Sequence, residues 1–490
     1  METNVKKETL SGMKWTAIET FSLDGINFVL SLLLARMLLP SDFGTVAMIG
    51  IFISVSNTFA SSGFRNALIR KIDRTEVDYS TVFYFNIVVS VICYCILFAC
   101  APWVADFFHN PIVCDILRVQ SIVIIFQAFC LVQNARLTIA IDFKTLAKRS
   151  LLASLISAVV GVVMAYTGFG VWSLVAQNLV AKLVNTIFLW TYCKWKPLWT
   201  FSWKSFHELF SYGSKLMLSG LLNTFYNNLN SIVIGRYFSS SALGYYNRGT
   251  NFARFPVRTM KSVLQRVTFP ILAKLQNDDQ RLVAVYRKYI RMTSMVIFFA
   301  CILLGAMAKP VIIFLITEKW IKSIIYLQVF TFSIMFDHIS AINLNLLQVK
   351  GRSDLFLRLE IIKKTIAVAI LFSSIPFGVL GICISKVIYT QIATFINTYY
   401  TGKLFNLGYV TQVKDFSGYF LKSLIACAPA YFFTFLNLPH IVSILFGLVT
   451  ATALYWLMLR KNEDMKELIT LAVNAMHKNK QKKHIDTEKA

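Results

Sequence analysis

The segment NFVLSLLLARMLLPSDFG occupies residues 27–44, and a near copy, NNLNSIVIGRYFSSSALG, occupies residues 227–244. Displaced by 200 positions, Asn27 falls on Asn227, Ser31 on Ser231, Arg36 on Arg236, Ser41 on Ser241 and Gly44 on Gly244. One position further out of step, Gly12 and Lys14 meet Gly213 and Lys215. Each copy is an apolar run that reaches an arginine, turns through serines and resumes at a glycine. Pro40 blocks continuation of the first helix. Ser41 is then expected to cap the next one, with Asp42 in its first turn. In the second copy Ser240 or Ser241 takes the capping role without a proline. The repeated residues thus read first as a tight hairpin, with Arg36 and Arg236 snorkelling at a membrane edge.

The surroundings make that edge a membrane edge. The 490-residue chain is 56% hydrophobic and 15% charged, with a mean hydropathy of +0.61. Soluble domains are about 45–50% apolar and about 25% charged. The apolar excess falls in runs of about 20 residues, the length of helix that crosses hydrocarbon. Barrel strands need only about 10 alternating residues and do not fit. Fourteen spans are predicted, at 15–37, 43–63, 80–104, 116–136, 149–167, 171–193, 212–235, 243–265, 289–308, 323–347, 357–375, 379–400, 416–436 and 441–459.

The net charge of +25 supports this count. With the N-terminus inside, Lys and Arg collect in alternate loops: Arg65, Arg70, Lys71 and Arg74; Arg136, Lys144, Lys148 and Arg149; Lys194, Lys196 and Lys204; and so on to the tail. The intervening segments 105–115, 168–170, 376–378 and 437–440 hold none, and the exceptions on that side are Arg36, Arg236, Lys309, Lys319 and Lys322. This is the positive-inside bias, and it places both termini in the cytoplasm. No basic segment interleaves aromatics on a soluble module, so nucleic acid is not an expected partner. The nine cysteines form no metal or disulfide pattern. The start of the chain lacks the apolar core of a cleaved signal, so the first span is expected to serve as the insertion signal.

A repeat at six-span spacing implies an all-α integral membrane protein of about fourteen helices in two parallel-repeat lobes. The expected divisions are a six-helix lobe at 1–193, an amphipathic interfacial linker at 194–211, a second six-helix lobe at 212–400, helices 13 and 14 at 401–460, and a basic cytoplasmic tail at 461–490. In such folds the substrate site lies between the halves, an analogy of fold.

Charges inside spans are costly and point to function. The eighth span, LGYYNRGTNFARFPVRTMKSVLQRV, carries Arg248, Arg254, Arg258, Lys261 and Arg266. Arg254, Arg258 and Lys261 are spaced i, i+4, i+7 and share a face; Arg248 is about 120° off it. Either this stripe lines a cavity that takes an anion, phosphate being well matched to arginine, or the lower half of the helix lies outside the bilayer. The first span carries Glu19 and Asp24, which either couple transport to a proton or Na+ or form a structural ion pair with Lys182 or Lys215. The seventh span is rich in amides, among them Asn227 and Asn228, suited to sugar hydroxyls or to tying helices together. Asp337, His338, Asn343, Asn345 and Lys386 are weaker candidates; an imidazole such as that of His338 is able to titrate near neutrality, but a single histidine is a poor signal. No nucleophile–base set, phosphate loop, metal cluster or ATPase motif is present. No catalytic residue, cofactor or metal is therefore expected.

The segments LLLARMLLPSDFGTVAMIGIF and SGFRNALIRK, with IVIGRYFSSSALGYYNRGTNF and FPILAKLQND later, resemble the Wzx-type oligosaccharide flippases. These form a branch of the multidrug/oligosaccharidyl-lipid/polysaccharide exporter superfamily. The resemblance covers about residues 10–460. It implies fourteen helices in two lobes and the movement of undecaprenyl-pyrophosphate-linked oligosaccharides across the bacterial inner membrane for O-antigen, capsule or exopolysaccharide. On that reading Arg248, Arg254, Arg258, Lys261, Lys215, Asn227 and Asn228 bind the pyrophosphate and sugars, and the protein is a monomer with a polysaccharide polymerase as a candidate partner. The alternatives are a multidrug exporter of the same superfamily, which calls for an acidic cavity, and a polymerase or ligase, which calls for a large outer catalytic loop.

Overall fold

In the computed structural model the backbone is described for residues 2–61, 63–436 and 438–470, and side chains for those residues other than 2–11, 13, 258–267, 269, 270 and 353. Every regular element among the described residues is helical. The contacts divide the chain into two compact units between Tyr245 and Tyr246. The first holds α1 (Glu2–Met37), α2 (Pro40–Ser61), α3 (Phe64–Arg70), α4 (Glu76–Phe108), α5 (Ile112–Gln120), α6 (Ile122–Ile139), α7 (Phe143–Tyr166), α8 (Val171–Tyr192), α9 (Trp203–Tyr237) and the start of α10 (Ser240–Lys274). The second holds the rest of α10, then α11 (Asp279–Ala306), α12 (Ala308–Ile316), α13 (Ser323–Ile334), α14 (Asp337–Val349), α15 (Ser353–Ser374), α16 (Gly378–Phe405), α17 (Tyr409–Phe433) and α18 (His440–Leu459).

Each predicted span falls on helix. Among the described residues ten helical stretches are long and apolar enough to cross a membrane, by length and composition. The eighth span is α10, and α9, α10 and α17 are not among the ten. These three carry charges and amides where the others carry hydrocarbon. The fourth and tenth spans, six apart, are each interrupted. Ser121 separates α5 from α6, and Met335–Phe336 separates α13 from α14. At the second break the His338 ring closes the gap, its Nδ1 lying 2.7 Å from the Met335 carbonyl oxygen.

The doubled hairpin has a structural counterpart. Pro40 opens α2, the first helical position where its missing N–H costs nothing. The cap differs from the expected Ser41: the Asp42 carboxylate, three residues in, accepts the Leu39 N–H at 2.9 Å. In the second copy Ser239, not Ser240 or Ser241, caps α10 by accepting the Ala242 N–H at 3.1 Å. The two helix starts cross backbone against backbone. A methyl built on Gly44 would lie 1.7 Å from the Ser240 carbonyl oxygen, and one built on Gly244 would lie 1.9 Å from the Pro40 carbonyl oxygen. The shared glycines are therefore the contact between the copies. Arg236 donates to the Phe107 carbonyl at 2.7 Å and lies 5.1 Å over the Phe107 ring, tying the end of α9 to the end of α4.

The linker at 194–211 is not an amphipathic helix. Residues 194–202 are irregular, and Ser202 caps a helix that runs unbroken from Trp203 to Tyr237. The irregular part is strapped to the start of α4: Trp195 Nε1 donates to Glu76 at 2.6 Å, Leu198 N–H to Ser80 Oγ at 2.9 Å, and Ser202 N–H to Thr81 Oγ1 at 3.1 Å. Beneath it Tyr79, Phe83, Trp190 and Trp195 pack edge to face. Lys71, in the turn before α4, reaches both Asp78 (3.2 Å) and Glu208 (2.9 Å). Burial opposes its charge, but the two carboxylates outweigh burial and hold the ammonium above its ordinary pKa.

In the second unit α11, α13, α14 and α17 share a core around Phe298, Phe336 and Phe416. Between them Asn343, Thr401 and Gln412 form a buried hydrogen-bonded set. The expected solvated tail begins instead with a helical stretch at 463–470, docked by ion pairs from Asp464 to Arg291 (2.9 Å) and Glu467 to Lys288 (2.5 Å). Burial raises the Asp464 carboxyl, but hydrogen bonds from Arg291 and Tyr419 outweigh it and hold the pKa below the ordinary value. The run HKNKQKKH at 477–484 lies outside the described residues.

Candidate functional site

On α10 the structure separates two of the expected cations. Gly249 seats the helix on α13 so tightly that a methyl there would lie 2.8 Å from the Ser323 carbonyl oxygen. Beside it Arg248 is buried, 7% exposed, with its guanidinium 5.0 Å from the centroid of the fully buried Trp320 ring. Arg254 is exposed and lies 5.7 Å from the Phe330 ring centroid, with no carboxylate partner among the described residues. The side chains of Arg258 and Lys261 lie outside the described residues, as does that of Arg266. Arg248 thus makes a cation–π contact at a packed position, while Arg254, like Lys274 at the end of the helix, is exposed and has no carboxylate partner among the described residues.

The remaining expected residues belong to the first unit. Lys215 and Asn227 are exposed on α9, while Asn228 turns back on its own helix, its Nδ2 donating to the Thr224 carbonyl at 2.8 Å. Glu19 accepts from Ser150 Oγ on α7 at 2.6 Å rather than pairing with Lys182 or Lys215, and Arg149 is the cation in its field. Asp24 is exposed. His338 is fully buried, with Nε2 2.8 Å from Ser294 Oγ and Nδ1 on Met335, so both ring nitrogens are held by neutral groups inside the core. That is a structural pin between α14, the break before it and α11.

The first unit also contains a cavity of about 240 Å³ between α2, α3, α6 and α8, lined by Asn57, Arg65, Asn134, Lys182 and Asn185 among others. Arg149, counted above as a cytoplasmic-loop cation, is buried on α7 at its edge. Its Nη2 donates to Asn134 Oδ1 at 2.5 Å. A cap signal was available: Asp142 accepts the Thr145 N–H at 3.1 Å, which starts α7 at Phe143 and carries Arg149 into its second turn.

Residues 33–325 match the family model described as "Polysaccharide biosynthesis protein". The chain is 26% identical over 354 residues to the teichuronic acid biosynthesis protein TuaB of Bacillus subtilis (strain 168), covering 72% of this chain and 73% of that one. It is 23% identical over 402 residues to the lipopolysaccharide biosynthesis protein WzxC of Escherichia coli (strain K12), covering 80% and 81%. Among solved structures the fold is similar to that of the lipid II flippase MurJ in an inward closed conformation, with a TM-score of 0.72, 14% identity, and coverage of 91% of this chain and 99% of that one. An inward-facing multidrug MATE transporter is similar at a TM-score of 0.59, with 17% identity and coverage of 80% and 97%.

Proposed function

The chain belongs to the polysaccharide biosynthesis protein family, and we propose that it is a flippase for undecaprenyl-pyrophosphate-linked oligosaccharides in the bacterial inner membrane. It carries out no bond-making step. It moves the lipid-linked repeat unit to the outer leaflet by alternating access of two six-helix halves, as a monomer with both termini cytoplasmic. The observation that carries this reading is Arg254 on α10, an exposed guanidinium with no carboxylate partner among the described residues, on a helix inside the family-matched region. A cation on an intramembrane helix requires water or an anion beside it, and a pyrophosphate offers oxygens that a guanidinium engages in pairs. A relative that serves lipopolysaccharide biosynthesis and the MurJ fold support the same class of cargo.

The test is reconstitution. Purified protein in liposomes is supplied with a fluorescent undecaprenyl-pyrophosphate oligosaccharide, and the fraction accessible to an external glycosidase is followed over time. Replacing Arg254 by Ala is expected to slow translocation by about tenfold, the loss of about 1.4 kcal/mol of anion contact. Unchanged translocation in that variant refutes the role of Arg254, and absence of translocation by the unaltered protein refutes the function.

A further inference from the structure

The strap at 194–202 and the start of α9 present a surface of their own. Pro197 keeps Lys196 out of the helical region, and the strap is held by Glu76, Ser80 and Thr81 at the start of α4. Trp195 is buried against that helix, while Lys194 and Lys196 on either side of it are exposed. Further along, Trp199 is 94% exposed and Trp203, the first residue of α9, is 67% exposed. Lys204 beside it is exposed as well. Glu208, one turn beyond Lys204, pairs with Lys71, and Glu76 pairs with Arg136. Among the described residues the three lysines have no carboxylate partner. Two open indoles and three uncompensated ammonium groups on one tethered stretch are unfavourable in water alone.

The level of this surface follows from α4, a helix long and apolar enough to cross a membrane. Val88, Val91 and Ile92 are exposed along one side of it, at the spacing of a single helix face. That face meets hydrocarbon. Tyr84 lies one turn before Val88, and the Trp199 ring stacks on it with centroids 6.1 Å apart and planes 28° apart. Trp199 therefore continues the hydrocarbon-facing stripe toward the polar first turn of α4, which carries Glu76 and Asp78. Tyr84 is about 12 Å along the axis from Glu76, enough to cross a headgroup layer and reach the edge of the hydrocarbon. Tryptophan and tyrosine settle at that edge, and lysine lays its stem on apolar surface and reaches outward with its charge. A second copy of the chain is a poor occupant, because pairing this face with itself sets lysine against lysine.

We propose that residues 194–204 form a docking surface for the headgroups of anionic phospholipids in the surrounding bilayer. Trp199 and Trp203 seat at the boundary between headgroups and hydrocarbon, and Lys194, Lys196 and Lys204 engage the negative charge beside them. The hydrogen bonds to α4 hold these groups in place before lipid arrives, which lowers the ordering cost of binding. A zwitterionic phospholipid offers the indoles the same boundary but offers the lysines no net charge, so the lysines alone set the preference. The proposal stands whether or not the cargo is the one named above.

The experiment uses the full chain in two settings. In detergent, thermal unfolding is followed while phosphatidylglycerol or phosphatidylcholine is added at equal concentration. Phosphatidylglycerol is expected to raise the midpoint further, and sodium chloride at about 1 M, where charges act over only about 3 Å, to remove the difference. A lysine near an anionic surface contributes about fivefold in affinity. Lys194→Gln, Lys196→Gln and Lys204→Gln together are therefore expected to weaken phosphatidylglycerol binding by about a hundredfold and to leave the phosphatidylcholine response unchanged. Lys274→Gln, Lys403→Gln and Lys466→Gln, at exposed lysines of the second unit, form the control triple and are expected to retain the preference. In nanodiscs containing phosphatidylglycerol, the fluorescence lost in Trp199→Phe isolates the signal of Trp199. That signal is expected to be quenched by lipid brominated near the headgroup and shielded from acrylamide. Equal responses to the two lipids, a full preference in the first triple variant, or its loss in the control triple overturns the proposal. So does a Trp199 open to acrylamide and untouched by brominated lipid, which turns this surface to water and to a soluble partner. The Trp199 measurement is made with all three lysines present, so it decides even if the triple variant fails to fold.

Discussion

Replacing Gly44 by alanine tests the crossing that the sequence repeat builds. The added methyl would lie 1.7 Å from the Ser240 carbonyl oxygen, 2.5 Å from its carbon and 3.0 Å from the Gly244 nitrogen. All three are backbone atoms, so no side chain can swing away and the helices themselves must part. Overpacking in a close-packed interior costs about 1–3 kcal/mol and occasionally more. Against it stands the preference of a helix interior for alanine over glycine, about 1 kcal/mol. The contact is far shorter than any ordinary one, so the upper part of the first range applies and the net destabilisation is about 2 kcal/mol. Gly50 supplies the control on the same helix, because a methyl there meets nothing within 4 Å. Gly50→Ala is expected to be neutral or to stabilise by up to about 1 kcal/mol. Thermal unfolding in detergent, followed by tryptophan fluorescence, would lower the midpoint for Gly44→Ala by several degrees, at about 2–4 °C per kcal/mol for a unit of this size. Gly244→Ala is expected to match it, and the double variant to cost less than the sum, since one separation of the helices relieves both clashes. If Gly44→Ala and Gly50→Ala unfold together, the close crossing is wrong.

Other consequences can be measured in the same way. Asp464→Asn removes the ion pair to Arg291 and the Tyr419 hydrogen bond and is expected to cost about 1 kcal/mol, as for a partly exposed, geometrically good pair. Because the folded carboxyl is held below its ordinary pKa, this stabilisation is present above about pH 4 and is lost as pH falls through the depressed value; unfolding midpoints of the two proteins should converge on acidification. Trp195→Phe deletes the donor to Glu76 and is expected to cost about 1–2 kcal/mol, with faster protease cleavage within 194–202 as the local readout. Asn343→Leu leaves Gln412 and Thr401 short of partners in a buried set, an expected loss of about 1–3 kcal/mol seen in chemical unfolding of the purified protein.

Much of this molecule is written in local sequence, because hydropathy and charge act over single helices. Runs of apolar residues of membrane-spanning length specify helix wherever they occur, so the fourteen predicted spans fall on helix, and the charge-rich α10 stands out from composition alone. The family too was legible, in the PSDFG and LGYYNR segments that carry the resemblance. Helix ends were legible only in part. Pro40 marked the right turn, but Asp42 and Ser239 hold the backbone N–H groups in place of the serines expected, since a cap is decided by the angle at which the chain enters the helix.

What tertiary structure decided is which residue faces which, a matter of neighbours distant in sequence. Gly44 and Gly244 read as turn residues until their helices are crossed; each then leaves room for the other's backbone. Trp195 read as part of an amphipathic helix, but its indole N–H finds Glu76 across 119 residues, and that bond holds 194–202 irregular. Arg149 counted as loop charge because no pattern in its own segment marks burial. Desolvation depends on the helices packed around it, and only the assembled first unit encloses that guanidinium and leaves two of its nitrogens without a hydrogen-bond partner among the described residues.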